Sequence, residues 1–140
     1  MGFKYTNIAL SGVAGCGKNT VACIIGKLLQ RLDLPYRELS IANNLKKELS
    51  SASKELIRPF LVANGEIKRK LSSGRHWVDQ VTSELAPEKI NIITDVRFNE
   101  YEKDEVYWVK NEINAVLVHI SQFHEENNKR IFLPPANQAE

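Results

Sequence analysis

Residues 7–20, NIALSGVAGCGKNT, decide the fold class of this 140-residue chain. The first four of them form a short apolar run, which predicts a buried strand, and the run ends in a glycine-rich turn. From Lys18 to about Leu32, apolar side chains recur at helical spacing. A strand, a glycine-rich turn and a helix in this order predict an anion-binding loop at the carboxyl end of a strand.

Three glycines shape the predicted loop: Gly12, Gly15 and Gly17. Because they lack a Cβ, they permit a tight turn and let backbone N–H groups approach phosphate oxygens. The following helix adds its free N–H groups and its dipole, and Lys18 brings a mobile positive charge to the β- and γ-phosphates. A plain strand–helix turn with a surface lysine is the alternative. The residues predicted to cradle the phosphates are Gly12, Val13, Ala14, Gly15, Cys16, Gly17, Lys18, Asn19 and Thr20.

The end of the loop departs from the usual pattern, in which Ser or Thr follows the lysine directly and holds Mg²⁺. Asn19 stands at that position, and the hydroxyl comes one residue later, at Thr20. The spacing Gly-x-x-Gly-x-Gly-Lys-x-Thr resembles the loop of nucleoside monophosphate kinases, in which the metal is held largely through waters and the phosphates of the nucleotide. The same spacing disfavours a GTPase.

Apolar runs and helical patterns alternate along the rest of the chain. Three further runs predict strands at residues 36–41, 90–94 and 115–120. Helical spacing predicts helices at residues 43–49, 54–64, 75–85 and 99–110. Strands separated by helices predict a parallel sheet covered on both faces. The chain is therefore predicted to be a three-layer α/β sandwich with a helical insertion, residues 42–86, between strands two and three.

Residues 121–140 are polar, contain two consecutive prolines and show no periodicity, so they are predicted to be an irregular tail or a partial lid. The sheet would then stop after its fourth strand and leave an open edge. Either a last strand and helix are missing from the sandwich, or a partner covers the edge. A homodimer is one such arrangement.

Length and composition restrict the class of protein. A chain of 140 residues with 43% hydrophobic and 26% charged residues is long enough for one domain, residues 1–140, but not for two. A net charge of +2 is too small to predict a nucleic-acid partner, and every apolar stretch is too short to cross a membrane. Cys16 and Cys23 have neither metal-site nor redox spacing, which favours two reduced thiols in the cytoplasm.

A second cluster of candidate residues lies in residues 93–100, ITDVRFNE. Asp95 ends an apolar strand and is predicted to face the glycine-rich loop, where it would orient Mg²⁺-bound water or a substrate group. Arg97 points to the same side if the chain stays extended, and its guanidinium could then bind phosphate oxygens. The alternative is that Asp95 and Arg97 pair with each other or cap the next helix.

Four segments in this order resemble the bacteriophage-type deoxynucleoside monophosphate kinases, a branch of the P-loop nucleoside monophosphate kinases. They are GVAGCGKNT at 12–20, IANNLKKEL at 41–49, IRPFLVANG at 57–65 followed by Trp77 and Val78, and DVRFNE at 95–100. The resemblance covers residues 5 to about 120. It implies transfer of the γ-phosphoryl group of ATP to a deoxynucleoside 5′-monophosphate with Mg²⁺, in the host cytoplasm if the chain is of phage origin.

The resemblance also implies roles for single residues. The residues it assigns to catalysis are Lys18, Asp95 and Arg97. Thr20 and Asp95 would hold the metal through water. Arg58 would clamp the monophosphate, and Trp77 would stack on the base or wall its pocket. The alternatives are a surface ion pair for Arg58 and a core position for Trp77.

Two other functions are compatible with the same scaffold. One is a kinase of another small phosphate acceptor, of the dephospho-coenzyme A or phosphomevalonate type, and the other is a nucleotide-binding module without transfer. In the tail, Lys129 and Arg130 are candidates to close over the donor phosphates. His119 and His124 are predicted to lie outside the chemistry.

Overall fold

A computed structural model describes residues 6–42 and 54–135 of the chain, with the side chains of residues 54–61 left out. Its main sheet has four strands: β1 Asn7–Ser11, β2 Tyr36–Leu39, β3 Ile90–Val96 and β4 Ala115–His119. They lie in the order β2–β3–β1–β4, and every neighbouring pair is parallel. The alternation of apolar runs and helical patterns therefore predicted the sheet correctly.

Helices lie on both faces of this sheet. They are α1 Lys18–Arg31, α2 Lys54–Leu71, α3 Arg75–Glu84 and α4 Glu105–Tyr107, and α4 continues as the π-helical turn Trp108–Glu112. On one face, Ala22 and Leu29 of α1 share an apolar core with Leu10 of β1 and Ile92 of β3. The predicted α/β fold with a parallel sheet is thus confirmed.

The opposite face of the sheet carries the larger core. It contains Trp77 and Val81 of α3, Trp108 of the π-helical turn, and Ala9 and Ile93 of the sheet. None of these five residues is more than 3% exposed. β1 and β3 are neighbours in the sheet, but the helices that follow them, α1 and α4, pack on opposite faces. A crevice therefore opens between the carboxyl ends of these two strands.

The insertion between β2 and β3 is helical, but its boundaries differ from the predicted ones. The helix expected at residues 43–49 lies outside the described residues. α2 continues past residue 64, where the helix was expected to end. Gly65 is buried, and its carbonyl accepts a hydrogen bond at 3.3 Å from the Trp77 indole. This glycine therefore marks a packing position and not the end of a helix. Three basic residues in the last turn of α2 also suit the negative end of the helix dipole.

The helix predicted at residues 99–110 begins only at Glu105. Asp104 is its N-cap, and the Asp104 carboxylate accepts the backbone N–H of Glu105 at 2.8 Å. The same carboxylate accepts the N–H groups of Glu100 at 2.9 Å and of Tyr101 at 3.3 Å. These side-chain bonds take the place of helical backbone bonds, so the chain before Glu105 forms a turn instead.

The expectation of an irregular tail does not hold for residues 123–132. They form an antiparallel hairpin of β5 Phe123–Glu126 and β6 Lys129–Phe132. The two turn residues, Asn127 and Asn128, have φ values of 51° and 61°, which is the conformation that two-residue hairpin turns favour. Asn adopts it more readily than other residues with a side chain. The Asn-Asn pair was therefore the signal for this hairpin in the sequence.

β4 is the edge strand of the sheet next to β1. Its Val116 and Val118, which lie on the α1 side, are 37% and 38% exposed. Apolar surface therefore remains at this edge. The described helices include none with the length and apolar character needed to cross a membrane.

Candidate functional site

The glycine-rich loop, residues 12–20, joins the end of β1 to the start of α1. Gly12, Gly15 and Gly17 have φ values of 145°, 78° and 105°, a region that residues with a Cβ rarely adopt. At Gly12 a Cβ would also collide with the carbonyl oxygen of Ile120 and lie 2.6 Å from the Sγ of Cys16. Glycine is therefore required at this position for its conformation and for its size.

The loop presents positive groups to the carboxyl edge of the sheet. α1 begins at Lys18 with Gly17 as N-cap, and no side chain caps its first turn. The first N–H groups of α1 are thus open to an anion. Lys18 folds back across the loop, where its Nζ donates to the carbonyl oxygens of Gly12 and, at 3.1 Å, of Val13. The side chain of Thr20 is exposed.

Asp95 does not face the glycine-rich loop as predicted. Its Oδ2 accepts hydrogen bonds from Ser40 Oγ at 2.7 Å and from the backbone N–H of Ala42 at 2.8 Å. Its Oδ1 accepts the N–H of Ile41 at 2.6 Å. The buried carboxylate thus caps the first helical residues after β2, because these N–H groups would otherwise lack partners. It ties the start of the insertion to the end of β3.

Arg97 is exposed at the rim of a crevice of about 120 Å³. The crevice lies between the start of the glycine-rich loop, the end of β3, α4 and the end of β4, and its other lining residues are Ser11, Gly12, Val13, Val96, Val106, Leu117 and His119. Among the described side chains, those of residues 6–42 and 62–135, the Arg97 guanidinium has no hydrogen-bond or ion-pair partner. An unpaired cation beside a loop with open N–H groups can bind an anion.

Ser11 and His119 form a polar pair in the wall of this crevice. They are paired across β1 and β4, and Ser11 Oγ lies 3.0 Å from His119 Nδ1. His119 lies on the edge strand β4, as predicted, and its side chain lines the crevice. Its place outside the chemistry stays a prediction. No local signal connects residues 11 and 119, because only the parallel pairing of the two strands brings them together.

Trp77 lies in the core and not on a base pocket. It is 3% exposed, and its indole N–H donates to the Gly65 carbonyl at 3.3 Å. Of the two predicted roles of Trp77, the core position is therefore the observed one, because α3 packs this side chain against the sheet. The backbone of Arg58 lies in α2, but its side chain lies outside the described part.

A buried ion pair that sequence reasoning missed supports the loop after β3. The guanidinium of Arg69, in α2, binds both oxygens of Asp104 at 2.9 and 3.0 Å. It also binds Glu100 at 3.1 Å and stacks on the ring of Phe98, 3.7 Å from its centroid. The acidic residue before an apolar run could have suggested the N-cap at Asp104, but nothing local in the sequence indicated its partner.

The β5–β6 hairpin lies next to the glycine-rich loop. A Cδ atom of Leu133, just after β6, is 3.8 Å from the position that a Cβ on Gly15 would take. The guanidinium of Arg130 lies 4.7 Å from the ring centroid of Phe123, within the hairpin itself. His124 has Glu126 as a neighbour, 3.8 Å away, and stays exposed.

The described residues contain no group of three His, Cys, Asp or Glu side chains placed to hold a metal ion. Asp95 Oδ2 accepts two hydrogen bonds and Oδ1 accepts one. The predicted contact with the metal through water would therefore use the remaining acceptor site of Oδ1. The exposed hydroxyl of Thr20 does fit a metal that arrives bound to a nucleotide.

Fold and site together define an α/β protein with a glycine-rich loop and an exposed arginine at the carboxyl edge of a four-stranded parallel sheet. Comparison with protein-family models, with curated proteins and with solved structures gives no match.

Proposed function

We propose that the chain binds ATP at residues 12–20 and transfers the γ-phosphoryl group to a (deoxy)nucleoside 5′-monophosphate. The position of Arg97 carries the proposal, because its unpaired guanidinium lines the same crevice as Gly12 and Val13. A cation beside open N–H groups supports the binding of two anions side by side, which phosphoryl transfer requires. The crevice between strands whose helices leave toward opposite faces is also where open α/β sheets bind ligands.

The donor would bind with its β- and γ-phosphates over the glycine-rich loop. Lys18 would exchange its bonds to the carbonyls of Gly12 and Val13 for bonds to phosphate oxygens. The first N–H groups of α1 would bind the same anion. Thr20 would hold a Mg²⁺ ion that the nucleotide brings, and the ion would neutralise further phosphate charge.

The acceptor would bind on the side of the insertion. Arg97 would hold its phosphate, and Arg58 on α2 is proposed to reach the same group. Asp95 would act indirectly, by fixing the first residues after β2 to the sheet through Ile41 and Ala42. The hairpin beside Gly15, with Lys129 and Arg130, is proposed as the element that excludes water from the donor phosphates.

Phosphoryl transfer at this site would require little covalent chemistry from the protein. The protein would align the two phosphates in line and neutralise the charge that spreads over the transferred group. Each cationic contact that acts in the transition state is expected to contribute about 2–4 kcal/mol. Lys18 and Arg97 are therefore the residues whose loss should reduce turnover most.

Replacement of Lys18 tests the donor side. We expect Lys18→Ala to abolish transfer, a loss of at least about 100-fold, while the protein stays folded, because the side chain is bonded only to loop carbonyls. Turnover is measured by coupled ADP release with a panel of deoxynucleoside monophosphates. Lys27→Ala, on the exposed side of α1, is the matched control and should keep full turnover. Near wild-type turnover by the Lys18→Ala variant would contradict the proposed mechanism.

The occupied carboxylate of Asp95 favours a second candidate function, a nucleotide-binding module that does not transfer phosphate. ATP binding without transfer to any acceptor of the panel would establish this second function. The panel should include dephospho-coenzyme A and phosphomevalonate. Transfer to one of these compounds, and to no nucleoside monophosphate, would assign the chain to the other acceptor class.

A further inference from the structure

The first residue of α4 holds the backbone of the chain segment that carries Arg97. Oε2 of Glu105 accepts the N–H of Arg97 at 2.6 Å and the N–H of Phe98 at 3.0 Å. These are the first two residues after β3. These two hydrogen bonds to Oε2 fix the direction in which the backbone leaves the sheet. They therefore also fix the orientation of the Cα–Cβ bond of Arg97.

The same segment is held from a second side. Arg69 stacks on the ring of Phe98, whose backbone Glu105 binds. Asp104 fixes the following residues through the N–H groups of Glu100 and Tyr101. The backbone N–H groups of Arg97, Phe98, Glu100 and Tyr101 are thus all bonded to the carboxylates of Asp104 and Glu105. The guanidinium of Arg97 lines the crevice and has no partner among the described side chains.

The position of Glu105 is costly for the folded protein. The side chain is buried at 3% exposure, and no ion-pair partner for it lies within the described residues. Burial raises its pKa from 4.5 to about 7, although the N–H groups of Arg97 and Phe98 and the charge of Arg69 lower it; the charge of Asp95 raises it further. A buried, unpaired carboxylate next to a free cation is typical of a site that a function maintains.

We propose that Glu105 is a positioning residue for Arg97: its carboxylate holds the Arg97 backbone so that the guanidinium stays at the rim of the crevice and binds the acceptor phosphate. The inference rests on the proposed function in one respect, namely that Arg97 contacts the acceptor. Glu105 itself is buried behind the backbone of Arg97 and does not line the crevice.

A double-mutant cycle between the two residues tests the inference. Glu105→Ala should raise the KM for the acceptor by about 10- to 100-fold, the effect of losing a charged hydrogen-bonding group, and leave the KM for ATP within about threefold. In the Arg97→Ala background the same change should have no further effect, because Glu105 acts through Arg97. Glu105→Gln keeps an acceptor oxygen and should restore most of the acceptor KM.

Val109→Ala is the control for a merely structural effect. It removes buried apolar contacts in the π-helical turn after α4 but leaves the bonds of Glu105 to Arg97 and Phe98 in place. If Val109→Ala raises the acceptor KM as much as Glu105→Ala does, the effect is a loss of stability and the inference is overturned. If Glu105→Ala does not fold, Glu105→Gln replaces it in the cycle. The smaller increase in the acceptor KM that Glu105→Gln causes must then be absent in the Arg97→Ala background, and an increase that persists there overturns the inference.

Binding of inorganic tripolyphosphate, measured by calorimetry on the same four proteins, keeps the two proposals apart. If the wild type phosphorylates an acceptor but the Glu105 and Arg97 effects add, the inference fails and the proposed function stands. If the wild type phosphorylates no acceptor, the proposed function fails. The inference then stands if Glu105→Ala weakens tripolyphosphate binding only when Arg97 is present, and it fails if the two losses add.

Discussion

Burial decides what each carboxylate beside the crevice can do. Asp95 accepts three hydrogen bonds from the segment that follows β2, and Asp104 is fully buried against Arg69. Glu105 accepts two backbone N–H groups, and the described residues supply no ion-pair partner for it. None of the three is placed as a free base, so the proposed phosphoryl transfer would depend on cations, namely Lys18 and Arg97.

The raised pKa of Glu105 predicts a pH-dependent stability. Between 4.5 and about 7 the folded protein binds this proton and the unfolded chain does not, so the free energy of unfolding falls as the pH rises through this window. The total loss is about 3 kcal/mol. Glu105→Gln does not titrate, so the wild type should lose about that much stability relative to this variant between pH 4.5 and 8. Urea unfolding at several pH values measures it, and a pH-independent difference would contradict the prediction.

At the scale of secondary-structure elements, the Arg69–Asp104 pair joins α2 to the turn that precedes α4. Both side chains are at most 6% exposed, and the turn of Ser73 and Gly74 between α2 and α3 packs on the same carboxylate. A Cβ on Gly74 would lie 2.7 Å from Asp104 Oδ1. The insertion and the segment that carries Arg97 are thus held in one unit, which makes their relative position depend on this pair.

Removal of the Arg69 charge is expected to destabilise the protein strongly. Arg69→Met leaves the carboxylate of Asp104 buried without its countercharge and should lower the free energy of unfolding by about 3–5 kcal/mol. Arg75→Met is the matched control, because the partners of Arg75, Asp79 and Glu112, are 58% and 38% exposed. It should cost at most about 1 kcal/mol. Chemical unfolding of both variants measures the two losses. Equal decreases in the free energy of unfolding for Arg69→Met and Arg75→Met would contradict the prediction.

At the scale of the whole molecule, the hairpin stands apart from the sheet. Every residue of β5 and β6 is exposed, whereas β1 and β3 lie in the centre of the fold. The contact described between this hairpin segment and the glycine-rich loop is that of Leu133 with Gly15. The hairpin therefore adds little to the stability of the sheet, and its position suits a role at the loop. The homodimer expected from the open β4 edge stays a prediction, which light scattering after size-exclusion chromatography tests.

Deletion of residues 121–140 should leave the rest of the protein folded. We expect the melting temperature to change by less than about 5 °C, because the deleted hairpin buries little apolar surface and 1 kcal/mol corresponds to about 4 °C in a chain of this size. ATP affinity should fall, because the glycine-rich loop becomes open to water. Calorimetric melting and ATP titration measure the two effects. Unchanged ATP affinity would contradict the proposed role of the hairpin.

The parallel sheet, the helices on both faces and the glycine-rich loop follow from the sequence alone. Each depends on local information: apolar runs of strand length, apolar spacing of a helix, and glycines where the chain needs positive φ. The hairpin was equally local, and the Asn127-Asn128 turn signal was missed. The predicted helix at residues 99–110 was wrong in its first half because Asp104 bonds locally to the backbone, which helical spacing does not indicate.

The partners of the charged and aromatic residues were decided only by the tertiary structure. Asp95 meets a segment 53–55 positions earlier in the chain, and Arg69 meets Asp104, 35 positions away. The indole of Trp77 is buried because α3 folds back on the sheet, although its side chain would equally suit a base pocket. The sequence by itself determined the loop that we propose binds an anion, since such a loop needs only its own glycines and the helix after it. Which side chains surround that anion depends on strand order and helix packing, because such contacts join residues that no local pattern relates.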